Sequence, residues 1–268
     1  MALSEANLQA QATWNNRACG TLSSVENAEA GTLETFNRLA RRRYTRDDPW
    51  VPLVLDFPSM KDKEVLEIGH GQGCDLLHAA MAGAHVHGID LTPNHHEICK
   101  RYFAALNLPV DLRLGNAGEL PFASESMDIV YSLGVLHHTD NAEQCVAEAH
   151  RVLKPGGKII IALYRFWSLP HLWLIGDGIL RGRLFKLGYR NLLSTIEGGA
   201  DGINIRPLVN LYTKASTEEL LTGFREIRTS IHGLAYDRIP LVGRFIPLFL
   251  GKALERRWGW YVVAVATK

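Results

Sequence analysis

Val65-Leu66-Glu67-Ile68-Gly69-His70-Gly71-Gln72-Gly73-Cys74 runs a short apolar strand straight into three glycines. About a helix's length later, a second strand, Ala84 to Ile89, ends on Asp90. Glycines let the backbone turn sharply and come close to a ligand. An acid at the tip of the next strand, roughly 20 residues on, is placed to accept hydrogen bonds from ribose hydroxyls. Together these features describe a nucleoside-binding edge of a parallel α/β sheet. The turn departs from the dinucleotide pattern G-x-G-x-x-G, because its third glycine comes one residue early. Glu67 sits at the end of an apolar strand, where an unpaired carboxylate is costly. It is either a buried acid satisfied by backbone N–H groups or a carboxylate that orders a cationic ligand or its water. A cationic ligand argues against a pyrophosphate.

Further motifs follow in order. Val110 to Leu114 reads as a third strand, leading into Gly115-Asn116-Ala117-Gly118-Glu119-Leu120-Pro121-Phe122. Ser126 to Ser132 reads as a fourth strand, and His137-His138-Thr139-Asp140 comes after it. A helix ending His150-Arg151-Val152-Leu153 runs into Lys154-Pro155-Gly156-Gly157, read as a turn between helix and strand. Lys158 to Leu163 is the fifth strand. This series resembles the class I S-adenosylmethionine-dependent methyltransferases, in the methyltransferase type 11-like branch. The resemblance is strong over residues 62 to 163 and weak elsewhere. It implies a doubly wound, Rossmann-like, seven-stranded mixed sheet in the order 3-2-1-4-5-7-6, with S-adenosyl-L-methionine as cofactor.

The resemblance also implies roles. Glu67 helps hold the methionyl amino group, and Gly69, Gly71 and Gly73 let the cofactor approach the backbone. His70 either reaches the methionine end or points to solvent. Asp90 binds both ribose hydroxyls, with Leu91 against the adenine. Asn116 stands where the family usually has Asp; its side-chain carbonyl can still accept from the adenine amino group, and Ala117 supplies backbone contact. Ser132 and Leu133 match the segment whose backbone meets the methionyl amine. His137 lies just past a central strand, where α/β sheets place chemistry, and histidine titrates near neutral pH. It is the first candidate for a general base, and His138 is a candidate wall residue of the acceptor site.

Composition bounds the rest. A formal net charge of +1 gives no general case for nucleic acid. The cysteines, Cys19, Cys74, Cys99 and Cys145, are scattered without a C-x-x-C pair. That argues against a zinc site or disulfide framework and suits a reducing cytoplasm. The pairs His85/His87 and His95/His96 lack a carboxylate or cysteine at ligand spacing and read as surface histidines; no metal is expected. The start, Met-Ala-Leu-Ser-Glu, is not a secretory signal.

Acceptor specificity is expected from the flanks. Residues 1–61 form an N-terminal lid segment and 62–268 the methyltransferase domain, with insertions at about 164–223 and 232–258. The stretch Trp14-Asn15-Asn16-Arg17-Ala18-Cys19-Gly20 resembles a branch of the family with W-N-x-x-x-C-G near its start, and that resemblance implies a segment folded over the cofactor. Glu34 to Tyr44 looks helical, and Tyr44 and Trp50 are candidate covers. From Tyr164 to Leu193, five basic residues stand against one acid, among Phe166, Trp167 and Trp173. Arg238 to Trp258 has the same count. Basic, aromatic, apolar segments lie in membrane interfaces, lysine and arginine meeting anionic headgroups, or they cap a greasy pocket. Either reading favours a small lipophilic or membrane-derived acceptor, in the cytoplasm or at the inner membrane face. Tyr261 to Thr267 alternates and reads as the last strand, antiparallel at the sheet's edge. The rival readings are an NAD-dependent oxidoreductase, disfavoured by the early third glycine and by Glu67, and a non-catalytic binder of the same cofactor.

Overall fold

The computed structural model describes residues 3–16, 32–197, 207–234 and 246–268. Residues 17–20 of the Trp14–Gly20 stretch, including Cys19, and residues 235–245 of the 232–258 segment lie outside the described residues. Seven strands form one sheet in the order β3-β2-β1-β4-β5-β7-β6, as the sequence resemblance implied. They are β1 (Glu64–Ile68), β2 (His85–Asp90), β3 (Asp111–Leu114), β4 (Met127–Leu133), β5 (Leu153–Tyr164), β6 (Arg225–His232) and β7 (Tyr261–Thr267). The first five are parallel; β7 pairs antiparallel with both β5 and β6. β7 therefore lies one strand in from the edge, and β6 takes the edge position expected for it.

Central parallel strands are covered on both faces, so their sequences read as near-continuous apolar runs. Alternation then divides them between two cores. Val65, Ile129 and Tyr131 face α4 (Cys74–Met81) and α5 (Pro93–Ala105), packing with Leu76, Leu77, Ile98 and Phe103. Leu66, Ile68, Val130 and Ile159 face the other way, onto Cys145, Val146 and Ala149 of α6 (Ala142–Val152). Ahead of the sheet lie α1 (Glu5–Asn16), α2 (Leu33–Arg42) and the short α3 (Val51–Leu55). α2 stops at Arg42, short of the expected Tyr44, and the chain continues as a wider π-type turn, Arg43–Asp47.

Between β5 and β6 come α7 (Leu169–Leu180), α8 (Arg183–Leu187), α9 (Tyr189–Ser194) and α10 (Lys214–Leu220); α11 (Leu248–Trp258) precedes β7. None of the described helices is long and apolar enough to cross a membrane.

Lys154–Gly157 is not a free turn between helix and strand. It belongs to β5 and bulges out of register opposite Asp128. Two bonds to the far end of β7 hold it: the Gly156 N–H donates to the Lys268 carbonyl at 3.1 Å, and the Lys268 N–H to the Gly157 carbonyl at 2.9 Å. Gly156 has φ +80° and open space where a side chain would go.

Gly73 is the more constrained position. It opens α4 at φ +81°, and a Cβ there would stand 2.3 Å from the Cys99 sulfur on α5. Gly73→Ala should cost about 2–4 kcal/mol, from left-handed backbone plus overpacking. Gly156→Ala should cost only the backbone part, about 1–2 kcal/mol. Urea unfolding of both variants measures the difference; equal losses would contradict this account of Gly73.

Candidate active site

The strand order reverses between β1 and β4, and open α/β sheets bind ligands at the carboxyl ends of strands at such a point. A cavity of about 340 Å³ opens there, within the roughly 300–1,000 Å³ usual for small-molecule sites. Glu67, Gly69, His70 and Gly71 line it from the end of β1 and its turn, and Asp90 and Leu91 from the end of β2. Asn116 and Ala117 line it from the loop beyond β3 and Leu133 from the end of β4, and Trp14, His138 and Tyr164 complete that wall.

Asp90 organises the turn. One oxygen accepts from the Gly71 N–H at 2.8 Å, the other from the Thr92 N–H at 2.7 Å. His95, on α5, stands 3.5 Å from the same carboxylate. Burial alone would push this carboxyl up, but His95 and the Thr92 N–H outweigh it and hold the group well below its ordinary range. His95 is thus a buried partner of Asp90, not the surface histidine its sequence suggested. α1 closes this end: Gln11 donates to the Leu91 carbonyl at 2.7 Å, and the Asn94 N–H donates to the Asn15 side chain at 3.1 Å.

Glu67 is buried, with the Tyr131 hydroxyl donating to it at 3.1 Å. Burial pushes its carboxyl well up and the Asp75 charge adds to this, while Arg43 opposes. Arg43 and Asp75, neither singled out by sequence reasoning as a site residue, form the neighbouring wall. The guanidinium grips Asp75 with two bonds, at 2.8 and 2.5 Å, and reaches Asp48 at 3.3 Å. Tyr44 donates to Asp75 at 2.7 Å, so it braces this cluster and does not line the cavity. Burial and the Asp75 charge push the Cys74 thiol, also on the wall, up to about 12.

His70 does not point to solvent. It is buried on the cavity wall, its Nδ1 lies 2.8 Å from the Gly71 carbonyl, and burial lowers its pKa. Asn116 lines the cavity, and its side-chain carbonyl accepts from the Gly118 N–H at 3.0 Å. Gly73 and Ser132 do not reach the wall: Gly73 serves helix packing, and the Ser132 hydroxyl donates to the Ile68 carbonyl at 3.0 Å.

His137 is also off the wall. It is fully buried, stacks on Tyr164 with ring centroids 3.7 Å apart, and has no hydrogen-bond partner on either ring nitrogen among the described residues. Burial drives its pKa well below the ordinary value. A ring so placed has no route to a proton in the cavity, so the geometry does not support it as the base.

Residues 66–161 match the family model described as a methyltransferase domain. Over residues 66–161 the chain thus carries a methyltransferase domain, and its fold is similar to that of solved S-adenosylmethionine-dependent methyltransferases. It is 36% identical over 103 residues to a demethylmenaquinone methyltransferase of Tropheryma whipplei, covering 37% of this chain and 41% of that one. It is 29% identical over 152 residues to a ubiquinone biosynthesis O-methyltransferase of Hahella chejuensis, covering 53% and 64%. The chain thus spans 41% and 64% of the length of these two curated relatives. In fold it is similar to the geranyl diphosphate C-methyltransferase of Streptomyces coelicolor A3(2), with a TM-score of 0.62, 14% identity and 98% of each chain covered. The nicotinamide alternative falls with the family assignment.

S-adenosylmethionine is the cofactor of this methyltransferase family, and the cavity fits it on three counts. Glu67 is a buried carboxylate with a neutral hydroxyl as its hydrogen-bond donor, so an ammonium group would satisfy it. Asp90 presents an ionised carboxylate to the wall. Gly69 packs so closely on Val135 that a Cβ would stand 2.4 Å from it, leaving bare backbone at the turn.

The ion pair beside Glu67 gives a test. Asp75→Asn removes the two-bond grip and leaves Arg43 with Asp48 alone. The loss should be about 2–3 kcal/mol by urea unfolding, below the figure for a fully buried pair because Arg43 remains 28% exposed. A loss under about 0.5 kcal/mol would show that the pair is no more than a surface contact.

Proposed function

We propose that this methyltransferase transfers the methyl group of S-adenosylmethionine to a small, lipophilic acceptor drawn from a membrane surface. One observation carries the reading: a single cavity has an acidic, glycine-lined end at Glu67, Gly69, Gly71 and Asp90, and an aromatic end at Trp14, His138, Tyr164 and Tyr261. Glu67 takes the methionyl ammonium, Asp90 takes the ribose hydroxyls, and Leu91, Asn116 and Ala117 flank the adenine. The sulfonium methyl is already activated when the cofactor is bound. The chain's own work is therefore alignment and exclusion of water. Leu133, Val135 and Trp14 supply apolar wall for the second task.

Relatives named for quinone and sterol substrates support the lipophilic class. The outer face of the α7–α9 segment supports the membrane part. Trp173, Leu180 and Phe185 are 75%, 88% and 80% exposed, beside exposed Arg181, Lys186 and Arg190. Exposed apolar side chains rimmed by basic ones suit anionic headgroups. The inner face of the same segment packs Leu193 onto Tyr164, at the cavity's aromatic end.

Asp90→Asn keeps the shape and removes the charge. Calorimetry should show S-adenosylmethionine affinity falling at least tenfold, with the circular dichroism spectrum unchanged; unaltered affinity would contradict the ribose role. Incubation with tritiated methyl donor and a bacterial lipid extract should put label into the organic phase. Vesicle flotation should recover the protein with phosphatidylglycerol-containing vesicles and not with phosphatidylcholine alone, and Leu180→Asp/Phe185→Asp should abolish recovery. Equal recovery with both lipids, or none, would remove the membrane part.

A further inference from the structure

Glu197 was not among the residues singled out by sequence, yet it lies on the cavity wall at the aromatic end. It follows α9 in a turn whose Ile196 packs against Tyr164, Leu193 and Val209. Its side chain is 13% exposed. The Tyr164 hydroxyl, from β5, donates to one carboxylate oxygen at 2.5 Å, in the range of short, charge-assisted O–H···O⁻ bonds. The second oxygen has no protein donor among the described residues. No lysine or arginine pairs with the group among those residues. Among the described residues, the titratable neighbours that contact it are Tyr164 and His138, whose Nε2 lies 3.9 Å away. His138 donates its Nδ1–H to the Leu208 carbonyl at 2.7 Å, and its burial disfavours a second proton. The carboxylate is therefore held in place, with no cation from the described residues neutralising it, and it lines the cavity at the aromatic end.

Resting on the methyl-transfer reading, we infer that Glu197 is the proton acceptor of the reaction and that the acceptor is a hydroxyl of the phenol or enol kind. A neutral amine has its lone pair available without losing a proton. A hydroxyl becomes a good nucleophile only as its proton leaves. In the step, the acceptor's O–H proton passes to the free Glu197 oxygen, and the oxygen's electron pair forms the new bond to the methyl carbon. The carbon–sulfur pair returns to sulfur, which loses its positive charge. Tyr164 is a positioning residue: its hydrogen bond fixes the carboxylate and leaves the other oxygen facing the acceptor.

The test uses matched probes, 4-octylphenol and 4-octylaniline, with tritiated methyl donor. The wild-type protein should methylate the phenol on oxygen and leave the aniline at least tenfold slower. Glu197→Gln should lower kcat on the phenol about 100-fold or more at pH 7, with calorimetric affinity for S-adenosylmethionine unchanged. Its kcat should recover towards wild type as pH approaches 10, where a phenol ionises unaided; Glu197→Asp should retain part of the activity. A Glu197→Gln kcat within threefold of wild type, a loss not rescued at high pH, a preferred aniline, or no labelled phenol would each overturn the inference. If label still enters the lipid extract in those cases, the methyl-transfer reading stands while the role of Glu197 falls. If no label enters any material, the reading beneath it fails first.

Discussion

The site depends on one carboxylate bridging two loops. Asp90 ends β2, yet its oxygens hold the N–H of Gly71, beyond β1, and of Thr92, opening the next helix. β1 and β2 are bound side by side through five parallel register pairs, so the bridge ties together turns that the sheet has already brought close. His95 and the backbone donors keep the group ionised despite its burial. A protein-bound acid in that state is preorganised, because its cost of desolvation has been met by folding and is not charged again on ligand arrival. The glycines follow from the same geometry: the backbone must pass within reach of Asp90 on one side and of Val135 on the other.

The cavity is electrically uneven along its length. At one end Glu67, Asp75 and Asp48 crowd around Arg43, and a cationic ligand is favoured. At the other end rings dominate: Trp14 lies 5.9 Å from His138, and Tyr164 stacks between His137 and Trp260. That division arises because the first end is built by strand tips and the π-type turn, while the second is built by α1, the loop after β4 and the facing ends of β5 and β7.

The parallel half of the sheet was legible in the sequence because its signals are local. Val65 to Ile68 and the glycines after them, or Asp90 at its strand tip, declare strand, turn and acid within a few residues. The bulge at Lys154–Gly157 was not legible as such, since proline and glycine spell a turn until Lys268, far away in the chain, supplies its hydrogen bonds. Nothing local to Arg43 in the sequence names its partner, and only tertiary contact with Asp75 makes it part of the wall. Glu197 gave no signal either, because its partner Tyr164 is 33 residues distant in sequence. His137 was misplaced for the opposite reason: its position after a central strand is right for chemistry, but the ring turns into the core behind Tyr164. Neighbouring His138 takes the cavity position instead.

Cys74 sits on the cavity wall beside Glu67 and Asp75, and the other described cysteines, Cys99 and Cys145, are buried. A sulfonium is an alkylating agent, and a thiolate is the nucleophile it would meet first. Burial and the Asp75 charge push the Cys74 thiol up to about 12, so at neutral pH it carries its proton. Burial first, and then the acidic surroundings that welcome a cation, thus keep this wall sulfur protonated.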